Sequence, residues 1–192
     1  SDDRGESWQA HGGDLTLDLD GDALPIMGRV WDDNAVQKDK FTTALSVITA
    51  LDESPLKEGL LFVGTDDGLV QISEDGGANW RRIERFPGVP AGSYVSDISA
   101  SEHESQTVFV AINNYQRGDF KPYLLKSTDL GETWTSIATG RAIQGFVWCV
   151  IEDLERKDLL FAGTEFGLFF SVDAGDQWIP LEEGVPTIPF RD

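Results

Sequence analysis

Hydrophobic residues along this chain come in short runs of four to seven, broken by turn residues, rather than at the three-to-four spacing of a helix. No stretch sustains helical periodicity, so the chain reads as a series of β-strands. First strands fall at Leu45–Leu51, Tyr94–Ala100 and Phe146–Glu152. Second strands follow at Leu60–Gly64, Thr107–Ile112 and Leu159–Gly163, and third strands at Leu69–Ser73, Tyr123–Ser127 and Leu168–Ser171. Fourth strands open at a tryptophan each time, over Trp80–Ile83, Trp134–Ile137 and Trp178–Leu181.

The order of these runs repeats because one motif repeats. The segments "SDDRGESW", "SEDGGANW", "STDLGETW" and "SVDAGDQW" all fit S-x-D-x-G-x-x-W. Its positions are Ser1, Asp3, Gly5 and Trp8; Ser73, Asp75, Gly77 and Trp80; Ser127, Asp129, Gly131 and Trp134; and Ser171, Asp173, Gly175 and Trp178. Successive serines are 72, 54 and 44 residues apart, the last two near the length of a four-stranded blade. An insertion between about Gly12 and Lys40 lengthens the first step. Units of four antiparallel strands in tandem predict an all-β fold, a partial β-propeller of about three blades plus one leading strand at Trp8–Ala10. The expected divisions are 1–42 (the end of a preceding blade plus the insertion), then blades at 43–86, 93–140 and 145–184. Two open faces then need covering, by further blades or by self-association.

The motif falls between a third and a fourth strand, where the chain must reverse. Aspartate and serine side chains accept backbone N–H groups in such turns, and glycine permits positive φ. The tryptophan ring can pack beneath the turn toward the neighbouring sheet. Catalysis by the motif aspartates is disfavoured, because an active site needs one convergent acid–base pair rather than one lone acid in every blade.

The motif resembles the Asp-box, or BNR repeat, of sialidases, xyloglucanase-type glycoside hydrolases, sortilin-type receptors and photosystem assembly factors. The flanking "LLFVGTDDGLVQISEDGGANW" and "LLFAGTEFGLFFSVDAGDQWIPLEEGVPTIPFRD" are similar to large exported bacterial proteins with a sortilin-type propeller. The resemblance covers nearly the whole chain, least at Asp14–Lys40, and implies an internal section of a larger, exported propeller. These relatives are often labelled glycosyl hydrolases, a label that rests on Asp-boxes, which are not catalytic.

Composition narrows the partners. The chain has 192 residues and a net charge of −19, from 34 acidic and 15 basic side chains, which repels phosphate backbones and argues against nucleic acid. The charge otherwise reads as a solvated, solubilising surface. The apolar runs are too short to span a membrane, and no signal peptide is visible. The first residue is serine and the chain opens inside a motif, as expected of a processed chain or a section of a longer one. Cys149, the only cysteine, sits in the apolar run "FVWCV" and reads as a small buried hydrophobe.

Chemistry is sought in what does not repeat. Trp31 in the insertion, with Asp32 and Asp33 beside it, is one ligand-binding candidate. Tyr115 and Phe120 in the long loop "NNYQRGDF" are others, as is Trp148, flanked downstream by Glu152 and Asp153. The Arg117–Asp119 triplet spells RGD, a three-residue match to an integrin ligand that a hairpin loop explains as well. The loop "DLDGDA", Asp18 to Ala23, resembles a calcium loop but places glycine early at Gly21 and has Arg29 where a glutamate ligand belongs. His11 and His103 have no ligand spacing, so no metal or cofactor is expected. The reading that follows is a scaffold or binding module for a protein, peptide or glycan. The alternative is a segment of a glycoside hydrolase acting on polysaccharide through a carboxylate pair, which would lie roughly 5–10 Å apart.

Overall fold

The computed structural model describes residues 4–8, 12–25, 27–32, 34–35, 45–138 and 142–191. It contains three four-stranded antiparallel sheets, each a meander in chain order. The first is β1 (Ile48–Glu53), β2 (Leu61–Thr65), β3 (Val70–Ser73) and β4 (Arg81–Ile83). The second is β5 (Tyr94–Ala100), β6 (Val108–Asn114), β7 (Asp119–Ser127) and β8 (Thr135–Ser136). The third is β9 (Val147–Glu152), β10 (Leu160–Thr164), β11 (Gly167–Ser171) and β12 (Ile179–Pro180). Two short 3-10 turns, Gly21–Ala23 and Tyr115–Arg117, are the helical elements among the described residues. This is the all-β, partial-propeller architecture that the repeat predicts.

Strand boundaries differ from the hydrophobic runs where side chains take over the backbone. The first strand starts at Ile48, three residues later than expected. Ser46 has a φ of 59°, and the Val47 N–H donates to the Asp66 carboxylate at 2.7 Å, so the ladder cannot begin sooner. In the second sheet β7 begins at Asp119, well before Tyr123, because the pairing of Asn114 with Asp119 carries the hairpin past the blade's usual edge. At the N-terminus Trp8 lies outside any strand and is exposed, against the expected leading strand, whose Gln9 and Ala10 fall outside the described residues.

The core lies between sheets. All seven residues of β6 are buried, and strand alternation splits them. Val108, Val110 and Ile112 join a cluster with Phe62, Val70 and Ile72 of the first sheet. Phe109 and Ala111 join a second cluster with Val147, Val150, Leu160 and Phe169 of the third. The middle sheet is therefore apolar on both faces, as a central blade must be.

Polar bonds stitch the first strands together. The Asp52 carboxylate accepts the Ala100 N–H at 2.7 Å, and Asp97 accepts the Val150 N–H at 2.8 Å. Each first strand also carries a bulge, at Thr49, Ser96 and Trp148. The bulged Thr49 hydroxyl donates to the Val95 carbonyl at 2.7 Å, and Ser96 donates to the Val147 carbonyl at 3.3 Å. The third bulge has a tryptophan where the others have a hydroxyl.

Close approach at the first junction requires glycine. A Cβ on Gly64 would collide with the Val95 side chain and come within 3.1 Å of Ile98 Cδ1. Gly64→Ala is expected to destabilise the protein by about 1–3 kcal/mol through overpacking. Urea denaturation checks this, and an unchanged midpoint would mean that the first two sheets are not packed as described.

Candidate functional site

The antiparallel meander sends the S-x-D-x-G-x-x-W turns to one end of the sheets. In each, the serine hydroxyl donates to the aspartate at 2.7–2.9 Å and accepts the glycine N–H at 2.7–2.8 Å, over Ser73–Asp75–Gly77, Ser127–Asp129–Gly131 and Ser171–Asp173–Gly175. The aspartate also accepts the N–H before the tryptophan, from Asn79, Thr133 and Gln177. In the first two the side chain of that residue bonds the second carboxylate oxygen as well. These side-chain bonds are the largest cause that holds Asp75 and Asp129 down at about 2, whereas in Asp173 the Gln177 N–H leads a smaller lowering. Ser1 and Asp3 lie outside the described residues, but Arg4 and Gly5 have φ of 60° and 90°, matching Leu130 and Gly131 at 56° and 77°.

The motif tryptophans differ in their surroundings. Trp178 is buried and its indole donates to the Ile137 carbonyl of the second sheet at 2.7 Å. Trp134 stands edge-on to Phe86, with ring centroids 5.4 Å apart. Trp80 donates back to Gly77 O at 3.0 Å. Trp8 is 80% exposed.

The opposite end gathers the β2–β3, β6–β7 and β10–β11 turns with the starts of β1, β5 and β9. Here three of the predicted ligand-binding residues meet, from two separate segments. Tyr115 stacks on Phe146 at 4.8 Å and 12°, and Trp148 meets both rings edge-on at 5.5 and 4.9 Å. Phe120, 60% exposed, lies 6.4 Å from Phe146. The Arg191 guanidinium sits 4.4 Å over the Trp148 ring, and the indole N–H donates to Glu165 at 3.1 Å. Burial, then the nearby Asp66 carboxylate and Tyr115, raises the Tyr94 phenol. Phe146, Glu165, Arg191 and Tyr94 are the members that sequence reasoning missed. The one signal was local: Phe146 lies two residues before Trp148.

The other candidates are not in this cluster of rings. Trp31 carries the Arg29 guanidinium 4.7 Å from its own ring centroid. Asp32 accepts the Asn34 N–H and amide at 2.8 Å, and Asp33 and His11 lie outside the described residues. Glu152 is buried at the far end of β9, where it accepts the Ser101 hydroxyl at 2.5 Å and the Glu102 N–H at 2.9 Å, so it does not flank the Trp148 ring. Asp153 accepts the Glu155 and Arg156 N–H groups. In the RGD triplet, Asp119 accepts the Tyr123 hydroxyl at 2.5 Å and the Lys121 N–H, and Arg117 donates to Ala91 O at 3.0 Å. The Tyr123 bond is the main cause that lowers Asp119; burial, followed by that same bond, pushes Tyr123 up to about 12. The calcium-like loop closes on itself, with Asp20 accepting the Asp22 N–H at 2.9 Å. Among the described residues no three His, Cys, Asp or Glu side chains group as metal ligands.

Comparison with protein-family models yields no match, nor does comparison with curated proteins. Solved β-propellers do match the fold. YCF48 from Cyanidioschyzon merolae is 21% identical over 72% of this chain and 38% of its own, with a TM-score of 0.56. YCF48 bound to D1 peptide is 15% identical over 73% and 42%, at 0.56. The GH74 xyloglucanase from Xanthomonas campestris is 19% identical over 74% and 24%, at 0.57. The chain thus spans less than half the length of each, and the likeness is one of fold. No helix among the described residues is long and apolar enough to cross a membrane.

The turn carboxylates make a pH prediction. Asp129 is lowered from 3.8 to about 2 in the folded chain, so its contribution is fully present above the unfolded value and is lost as pH falls through the folded one. Thermal melts of the wild type and Asp129→Asn should differ by a constant gap above about pH 5, and the gap should close between about pH 4 and pH 2. A gap independent of pH would mean that the charge of Asp129 adds nothing to the turn.

Proposed function

We propose that the chain is a binding module of a propeller protein and takes a polypeptide at the end that carries Tyr115, Phe120, Phe146, Trp148 and Arg191. The observation that carries this reading is the convergence of rings from the extended β6–β7 hairpin and from the start of β9, where a tryptophan stands at the bulge whose sister strands bear hydroxyls. Aromatic side chains and arginine dominate the energetics of protein recognition, because they bury much area at low entropic cost. One guanidinium, Arg191, lies against the rings in a chain with few basic residues and suits carbonyl or carboxylate acceptors.

A sugar platform is less well supported. One face of Trp148 is covered by Arg191 and its N–H is taken by Glu165, while Tyr115 spends a face on Phe146. Hydrolysis is less well supported still. A glycosidase acid needs a raised pKa, and among the described residues the carboxyls displaced, Asp14, Asp75, Glu104, Asp119, Asp129 and Asp173, are all displaced downward. A YCF48 propeller bound to a peptide is among the structural neighbours, and this agrees with the reading. The proposal includes the assignment of the four motifs as Asp-boxes, whose role is structural, and an exported parent protein of the BNR-repeat or sortilin-like kind.

A randomised peptide phage library and an oligosaccharide array, both presented to the wild-type chain, test the proposal. Peptides should be enriched, and Phe120→Ala with Arg191→Ala should weaken them roughly tenfold or more with little change in melting temperature. Retention of oligosaccharides alone, with or without their cleavage, would overturn it.

A further inference from the structure

Buried polar side chains in this protein have partners almost throughout. Thr65 bonds Asp67, Gln71 bonds the Leu15 carbonyl, Thr164 bonds the Gly167 carbonyl, and Ser101 bonds Glu152. Among the described residues, two side chains have buried polar atoms left open: the indole N–H of the partly buried Trp134 and the amide of the buried Asn113. Trp134 lacks one partner inside an aromatic pack. Asn113 lacks both, with its nitrogen and its oxygen unpartnered at 1% exposure. An open buried donor or acceptor costs about 1–3 kcal/mol, so such a residue calls for a reason.

Its position supplies one. Asn113 pairs with Tyr94 across the β5–β6 ladder and lies two residues before Tyr115. Alternation along β6 puts it on the face of Phe109 and Ala111, which is packed toward the third sheet. The next residues of that sheet at this end are Phe146, Val147 and Trp148. Tyr115, stacked on Phe146, belongs to a single 3-10 turn closed by Gly118 in the left-handed region at φ 77°. A ligand that shifts this turn exchanges the Tyr115–Phe146 stack and the Arg117 bond to Ala91 O for its own contacts.

A primary amide with a free N–H and a free C=O is the complement of one residue of an extended strand, whose own N–H and C=O point to the same side. A hydroxyl carries its donor and acceptor on one atom and meets one side of the amide at a time. We infer that Asn113 is the polar anchor of the aromatic site, pairing with the N–H and C=O of one residue of an extended peptide ligand whose entry shifts the Tyr115 turn. This rests on the polypeptide-binding reading above and names the backbone groups that the site would hold.

Asn113→Leu, nearly isosteric, separates anchoring from folding. It should leave the melting temperature of the free protein equal or higher, since it removes an unsatisfied amide. Affinity for the peptides selected by the wild type, measured by calorimetry, should fall tenfold or more. In a backbone N-methyl scan of one selected peptide, a single methylated bond should weaken binding to the wild type and change nothing for Asn113→Leu. Undiminished affinity of Asn113→Leu overturns the anchor and leaves the binding module intact. A markedly lower melting temperature overturns it too, by showing that the amide is already satisfied inside the fold. If the wild type selects no peptide at all, the proposed function fails and the anchor with it.

Discussion

The architecture depends on one hydroxyl in each sheet. The motif serine accepts the N–H of a glycine four residues on and donates to the aspartate between them, which allows two successive residues to hold positive φ. In the first sheet those residues are Gly76 and Gly77, but in the second and third sheets Leu130 and Ala174 occupy the first of the two positions. A non-glycine residue resists that region, so the hydrogen bonds must over-determine it. The turn so fixed then faces the sheet before it. A Cβ on Gly131 would be 2.8 Å from Ile72 and Ile83, and one on Gly175 would be 2.8 Å from Ile137. The local bond thereby sets the spacing between blades.

The same economy extends to the acidic residues. A net charge of −19 suggests a solvated surface, yet several carboxylates serve as hydrogen-bond acceptors for the backbone. Asp52 and Asp97 receive N–H groups of the next sheet, Asp66 receives the Val47 N–H, and Glu53 receives the Gly59 N–H. Asp67 receives the Leu17 N–H, which ties the start of the insertion to the first sheet. Bulges and strand starts leave backbone donors without ladder partners, and buried donors must be met. Carboxylates meet them with charge-assisted bonds. Part of the acidity is therefore structural.

Function is read from departures from this regularity. A repeat held by the same bonds in every blade makes a scaffold, and a site needs asymmetry. Trp148 breaks the hydroxyl pattern of the bulges, and the Asn114–Asp119 turn breaks the hairpin pattern. The two departures meet through Tyr115, Phe146 and Trp148. The RGD triplet, conspicuous in one dimension, is absorbed by Tyr123 and Ala91 into holding that turn in place.

Strand order and turn position were legible in the residues because they follow from local physics: two-residue alternation, the φ freedom of glycine, and the reach of a serine or aspartate side chain over a few residues. Tyr115, Phe120 and Trp148 were legible as exceptions to the repeat. Their meeting was not, because it spans two blades and depends on how far the β6–β7 hairpin extends. Phe146 reads as one more strand residue until Tyr115 stacks on it, and Glu152 reads as a neighbour of Trp148 until the length of β9 separates them. Asn113 is an ordinary loop asparagine in the sequence, and only the packing of the third sheet against β6 buries its amide. What a residue can bond within its own turn is written in the chain; what two sheets bring together, or leave unsatisfied between them, exists only once they pack.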